Sequence, residues 1–245
     1  SLATGKAHPL TATLDELDPT VRVAFADNGR QSVAAGFEAQ ELRIWSTPRG
    51  TLLRAVRLGA PVRDLDAAGG VVAIALGDRV ELRRLKDGGL IHRIPMPFGL
   101  DARHVALDRT GRRVAHCSAA GHLQVYDHRE GTSLGQKQIA ESPVAHLRLH
   151  PGGARVVVGL ANGRVLLLQA AGLATVRGFR SPGLGGAVVA LRFVDRGRRL
   201  LLLRQGGDLQ ELDAETGKVL ARTRLPEAAR ALDASPAGKP IVALA

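Results

Sequence analysis

Apolar runs of five or six residues, each closed by a cluster of Gly, Pro, Asp, Asn or Ser, follow one another along most of the chain. Runs of this length rich in Val, Leu and Ala predict strands, not helices. No stretch has convincing helical periodicity. Segments starting at Val21, Val62, Arg103, Val144, Val188 and Ala229 share one internal order, at intervals of 41, 41, 41, 44 and 41 residues. Each opens with a first strand (VRVAF, VRDLD, HVALD, VAHLRL, VVALRF, ARALDA) and a turn (ADNGR, AAGG, DRTGR, HPGGA, VDRGR, SPAGK). A second strand follows: SVAAGF, VVAIAL, RVAHCS, RVVVGL, RLLLLR, PIVALA. A third ends in ELRIWS, VELRRLK, HLQVYD, RVLLLQ or LQELDA, and a glycine turn leads to a fourth, such as TGKVLARTRL. Asp, Asn and Gly in the turns permit positive φ and tight reversals.

A period of 40–45 residues is the length of a four-stranded propeller blade. The predicted fold is all-β: a β-propeller of antiparallel blades, five full and a partial sixth. The blades fall at 21–61, 62–102, 103–143, 144–187 and 188–228, with part of another at 229–245. The three extra residues of the fourth unit sit in the Gly/Pro-rich stretch 181–187. One blade cannot bury both its faces alone, so the units must stack. The innermost strands are expected to be apolar on both faces. Residues 1–20 read as a clasp or outer strand, with two explanations for the ends. The chain is a piece of a longer array, the favoured reading, or a six-bladed ring closed by pairing of residues 5–14 with 239–245.

Composition narrows the function classes. The net charge is +11, carried almost wholly by arginine, with lysine only at Lys6, Lys86, Lys137, Lys218 and Lys239. Such a balance suits acidic proteins, nucleic acid or anionic lipid, although an Arg-, Ala- and Leu-rich composition also fits a GC-rich bacterial genome. Cys117 stands alone, which rules out an intrachain disulfide and fits a reducing, cytoplasmic setting. No apolar run approaches the roughly 20 residues of a membrane span.

Residues 104–131 (HVALDRTGRRVAHCSAAGHLQVYDHREG), residues 21–50 ending in Ile44-Trp45-Ser46, and SLATGK at the start resemble WD-repeat proteins. The resemblance spans nearly the whole chain but is degenerate. The Trp-Asp pair survives only as Trp45-Ser46, Tyr126-Asp127 and Leu212-Asp213. Gly121-His122 lies before a third strand, not at the opening of a repeat, so the family's structural hydrogen-bond network does not carry over. DLQELDAETGKVLA (208–221) also resembles quinoprotein-type repeats, with Ala221 where those place a tryptophan. The resemblance implies a binding scaffold, in bacteria commonly joined to signalling or catalytic domains.

Candidate chemistry is thin. His116, His122 and His128 recur every six residues but fall on two strands and a turn; His146 and His150 are four apart on a strand, not a helix. Neither a nucleophile elbow nor a phosphate loop is present. Neither a cofactor nor a metal is expected. Cys117 and Trp45 read as core residues. A propeller-type enzyme would need His104, His146, Asp64 and Asp66 to converge on a metal. The arginines are more informative. Loops between first and second strands, and between third and fourth, are expected to share one face. Arg30, Arg109, Arg112, Arg113, Arg155, Arg196, Arg198 and Arg199 form the candidate interaction face, with Arg49 and Arg129 beside them. The opposite face carries Glu38, Asp78, Asp101, Glu141 and Glu227 and is less basic. Guanidinium groups suit bidentate contact with carboxylates and phosphates. The leading expectation is a non-enzymatic protein-interaction scaffold with a protein or peptide partner, acidic ones among the candidates, although such arginine-bearing turns are also ordinary solvated features of bacterial repeats. A propeller-type hydrolase or quinoprotein is one alternative. The other is binding of nucleic acid or other anions through the basic face, disfavoured for single strands by the shortage of aromatic platforms.

Overall fold

The computed structural model describes residues 22–36, 40–139, 141–179, 186–225, 229–234 and 240–244. The expected clasp at 1–20, its pairing with 239–245, and Glu38 and Glu227 lie outside these residues. Five four-stranded antiparallel sheets follow one another, each meandering in chain order. The first holds β1 (Arg22–Ala26), β2 (Gln31–Ala35), β3 (Glu41–Ser46) and β4 (Thr51–Arg57). The second holds β5 (Asp64–Ala68), β6 (Val71–Ala75), β7 (Arg79–Arg84) and β8 (Leu90–Pro95). The third holds β9 (Ala102–Leu107), β10 (Arg113–Ser118), β11 (His122–Asp127) and β12 (Thr132–Gln138). The fourth holds β13 (Val144–Leu149), β14 (Arg155–Leu160), β15 (Val165–Gln169) and β16 (Thr175–Phe179). The fifth holds β17 (Val188–Val194), β18 (Arg199–Arg204), β19 (Asp208–Asp213) and β20 (Val219–Arg224). β21 (Ala229–Ala234) and β22 (Pro240–Leu244) form a two-stranded sheet. Among the described residues the helical turns are two 3-10 segments, Asp27–Gly29 and Asp195–Gly197. The chain divides into two compact units, Ser1–Arg112 and Arg113–Ala245.

Burial corrects one expectation. The strand covered on both faces is the second of each sheet, not the first. Every residue of β6 is buried, as are all but the first residues of β10, β14 and β18. β5 instead alternates buried and half-buried positions. A second strand is hydrogen-bonded along both edges and covered on both faces, so apolar residues fit at every position. A first strand has a free edge, and polar groups on it can find partners there. In the first unit, Ala26, Val33, Leu42, Ile44, Leu65, Val72, Ile74 and Leu85 belong to one buried cluster spanning the first two sheets. In the second unit, Val157, Val165, Leu167, Leu191, Leu200, Leu202 and Leu212 do the same for the fourth and fifth.

The repeat is visible in hydrogen bonds as well as in sequence. Asp64 Oδ2 accepts the Val105 N–H (3.1 Å), and Asp66 Oδ2 accepts that of Leu107 (2.8 Å), each donor 41 positions on. Their Oδ1 atoms take the N–H groups of Leu65 (3.0 Å) and Ala67 (2.9 Å). Two carboxylates thereby fasten β5 to β9. In the second unit the position corresponding to Asp66 holds Arg148 in β13 and Arg192 in β17. A guanidinium can only donate, and Arg148 Nη1 donates to the carbonyl of Leu147 (2.8 Å).

The outer strands are largely solvent-facing; β20 is exposed at every residue. In all five sheets the pairing of third and fourth strands skips one residue of the fourth: Leu53, Ile91, Leu134, Val176 and Leu220. A bulge at the same place in each sheet bends the exposed edge and disrupts its ladder, one of the devices that discourage another strand from adding there.

Candidate functional site

The turns between first and second strands set the site. In Asp108-Arg109-Thr110-Gly111, Asp108 accepts the Thr110 hydroxyl (2.7 Å), and its carbonyl takes the Gly111 N–H (3.0 Å). Asp108 is buried while Arg109 projects from the turn. The preceding sheet's Gly69-Gly70 turn packs directly against this one. Gly69 has φ +56°, and a Cβ there would lie 1.9 Å from the Thr110 carbonyl oxygen, so glycine alone fits. A Cβ on Gly111 would in turn meet the Ala68 carbonyl at 2.5 Å. These two turns are locked together by backbone contact. The other anchor is the Leu85 N–H, which donates to Gly70 O (2.8 Å) and places Lys86 beside the same turn.

Between these elements and the first sheet lies a half-open cleft of about 660 Å³. Phe25, Ala26, Ala67, Ala68 and Leu85 supply its apolar lining; Asp27, Lys86 and Arg109 supply charge. Phe25 is 60% exposed. The volume falls within the range of small-ligand and peptide pockets, on the order of 300–1,000 Å³.

The eight candidate arginines separate into three groups. Arg30, Arg109, Arg196 and Arg198 are exposed. Arg109 lines the cleft, and Arg30 sits between two of its lining residues, Gly29 and Gln31. Arg196, in the left-handed region at φ +56°, and Arg198 belong to the 195–198 turn of the second unit. Arg112 and Arg155 are half-buried. Arg113 and Arg199 have internal work. Arg113 Nη1 donates to Gly153 O (2.7 Å), and Arg199 pairs with Glu211 (2.5 Å) and Asp195 (3.5 Å). These two open second strands and are half-buried, each side chain being engaged by a neighbouring turn or strand. Arg49 and Arg129 are exposed.

Sequence reasoning missed a buried cluster in the second sheet. Glu81 in β7 is fully buried, and three arginines converge on it. Its Oε1 accepts from Arg79 Nε (2.9 Å) and Arg93 Nε (3.1 Å); its Oε2 accepts from Arg83 Nη2 (2.6 Å). Burial pushes the carboxyl up, but the hydrogen bonds from Arg79, Arg83 and Arg93 outweigh it and hold it below the ordinary range. The cluster ties β7 to β8 and leaves the carboxylate no room for a ligand.

The histidines do not converge on one centre. His116 is buried in β10, and neither ring nitrogen has a hydrogen-bond partner among the described residues. Desolvation lowers it to about 4, with His122 adding to the effect and Gln124 opposing it. His150 packs edge-on against Phe193, ring centroids 5.2 Å apart, and its Nδ1 accepts the Gly152 N–H (2.9 Å). Asp64 and Asp66 are engaged in joining strands, and His104 lies 3.8 Å from Asp64. Among the described residues no three His, Cys, Asp or Glu groups stand close enough to hold a metal ion. Cys117 and Trp45 are buried, as expected of core residues. No helix among the described residues is long and apolar enough to cross a membrane.

No protein-family model and no curated protein sequence matches the chain. Its fold is similar to the crystal structure of the β-propeller domain of Cps50 (Swd1) from Myceliophteria thermophila, with a TM-score of 0.72 and 16% identity. The match covers 88% of this chain and 76% of that one. At that identity the likeness is one of architecture. Among the described residues the repeated sheets are β-propeller blades, five complete and part of a sixth.

Proposed function

We propose that this chain is a protein-binding module without catalytic activity of its own, and that it holds its partner on the turns joining the strands of its blades. One observation carries the reading: the cleft of the first unit, where exposed cations stand on turns fixed by backbone contact. A surface fixed before binding loses little conformational entropy on association. The outer edges fit the same reading from the other side. Their repeated bulges disfavour docking by strand addition, which requires a straight, unpaired ladder. The excess of positive charge favours acidic partners and speeds their encounter. Arg30, Arg109, Arg196 and Arg198 are the arginines best placed to serve.

Site-specific photo-crosslinking in cells tests this. A photoreactive residue at Arg109 or Arg198 is expected to give discrete adducts with a partner protein, and one at Leu53 or Leu220 none. Rebinding of the identified partner, purified, then has to weaken when these arginines are reversed in charge. Adducts arising equally from the outer strands would defeat the proposal, as would turnover of a substrate by the purified chain.

A further inference from the structure

The cleft of the first unit is lined by residues of the first and second blades together with Arg109 from the third. Its two cations are set on either flank of one short strip of backbone. Arg109 stands on the turn packed against Gly69, and Lys86 follows Leu85, whose N–H is bonded to Gly70. The strip is exposed, and a Cβ built on Gly70 meets nothing within 4 Å, so space above it is open. Arg109 makes no ion pair among the described residues. Asp27, the acidic group of the cleft, belongs to the first blade's turn and disfavours a carboxylate at that end. The remaining lining is apolar: Phe25, Ala26, Ala67, Ala68 and Leu85.

We infer that this cleft is a recognition site for a short acidic segment of a partner protein, with a carboxylate between Lys86 and Arg109 and an adjoining apolar or aromatic side chain against Phe25. The inference rests on the binding-module reading and assigns that module a ligand chemistry. Charge decides the occupant: two cations flank the open strip, with Arg30 nearby; Asp27 opposes them in the cleft, and Asp87, which lies beside Lys86, is itself paired with Arg84. The mixture of charge and apolar wall decides between a peptide and a bare anion. A phosphate ion would use the cations and leave Phe25 exposed, whereas an acidic peptide satisfies both. About 660 Å³ accommodates a few residues, not a folded element.

The test uses the whole chain and the peptide acetyl-Gly-Asp-Phe-Glu-Gly-amide, followed by NMR through the amide signals of Gly29, Gly69 and Gly70. Saturable shifts at these three are expected. Affinity should fall about tenfold for the Asn/Gln counterpart, the loss of one or two charge-assisted contacts. It should fall similarly for Lys86→Glu or Arg109→Glu and for the peptide with Gly in place of Phe. Arg224→Glu, on the exposed outer strand of the fifth blade, should leave peptide binding unchanged. Equal affinity for the neutral peptide overturns the inference. So does displacement of the peptide by an equal concentration of inorganic phosphate, or saturation confined to other residues. Absence of saturable shifts in the intact chain overturns it as well. If the crosslinked partner still binds after Lys86→Glu and Arg109→Glu but is lost with Arg196→Glu and Arg198→Glu, the module reading stands and the cleft assignment falls.

Discussion

Glu81 in the second blade and Arg204 in the fifth are both buried charges, yet their surroundings answer them differently. Glu81 is met within its own blade: both oxygens are occupied, by guanidinium groups from β7 and β8. Arg204, in β18, reaches out of its blade. Its Nη1 donates to the Gly163 carbonyl in the turn of the fourth blade (2.5 Å) and more distantly to Gly186 O (3.4 Å). Its Nε and Nη2 are buried and have no hydrogen-bond partner among the described residues. Desolvation lowers its pKa, with the negative charge of Asp208 opposing the change. Burying a charge costs free energy that only well-placed partners return. Glu81 has a full set of them and acts as a strut within a blade. Arg204 has one short bond and serves as a fastener between blades, at a larger uncompensated cost.

Removing each charge therefore has different consequences, and the largest is at Glu81. Glu81→Ala leaves Arg83 buried and Arg79 half-buried without their shared acceptor, and it is expected to lower stability by about 3–5 kcal/mol. Urea unfolding followed by the fluorescence of Trp45, buried in the first unit, measures this. Glu81→Gln, which keeps acceptor oxygen but loses charge, should fall between wild type and Ala. The sign of the pH effect follows. Since the folded carboxyl titrates below its ordinary range, its contribution is complete above the unfolded value and is lost as pH falls through the folded one. Glu81→Gln should flatten that acid limb. An unchanged limb would mean that the three guanidinium groups do not hold the carboxylate.

His116 is a buried polar group with even less compensation, and it extends the comparison to a side chain that can shed its charge. The unfolded imidazole takes up a proton near its ordinary value of 6.5, the folded one only near 4. Between these values the unfolded chain binds more protons, so stability declines as the solution is acidified from 6.5 towards 4. The loss approaches about 3 kcal/mol for the whole interval. His116→Leu should remove that slope while leaving the Glu81 limb at lower pH. Retention of the slope in His116→Leu would show that another group is responsible.

Asp66 is the intermediate case, a half-buried carboxylate bonded to two backbone N–H groups. Asp66→Ala strands the Leu107 N–H and should cost about 1–3 kcal/mol. Asp66→Asn, which preserves an acceptor, should cost less. Hydrogen exchange at Leu107 would rise in the Ala variant; an unchanged rate would mean that this N–H has another acceptor.

The contrast also marks what could be read from sequence. The period of 41 residues, the strand-length apolar runs and the glycine turns predict blades because each is a local pattern repeated. Second strands such as 113–118 and 199–204 lie where those patterns place them. Glu81 was not legible as a buried group. Its segment, Arg79-Val80-Glu81-Leu82-Arg83, alternates charged and apolar residues and reads as a strand with one wet face, yet all but the first of them are buried. Arg113 and Arg199 have partners that sequence does not reveal for a related reason: in sequence they adjoin the turns, but in space they begin strands and meet a neighbouring turn or strand. Arg109 and Arg198 sit one or more residues earlier, in the turns themselves, and remain exposed. The cleft gathers residues from stretches as far apart as Phe25 and Arg109, and no local pattern marks that assembly. The periodic bulges were equally hidden, since a skipped partner is a property of pairing and not of composition.

The smallest expected effect is at Arg204 and probes the contrast most directly. Arg204→Met keeps much of the aliphatic stem's packing and removes the charge. The variant forfeits the bond to Gly163 O and leaves that carbonyl to other donors. It also relieves two buried nitrogens of their unmet desolvation, and Asp208, bonded to Gln210 and Arg222 at 2.7 Å each, retains partners of its own. Replacing a poorly answered buried charge by an apolar residue of similar size is often neutral. The expected change is within about 1 kcal/mol of zero, of either sign, read from urea unfolding by far-UV circular dichroism because Trp45 lies in the other unit. A loss as large as that of Glu81→Ala would show that Nε and Nη2 are answered in solution, and that the fifth blade's charge is as fully compensated as the second's.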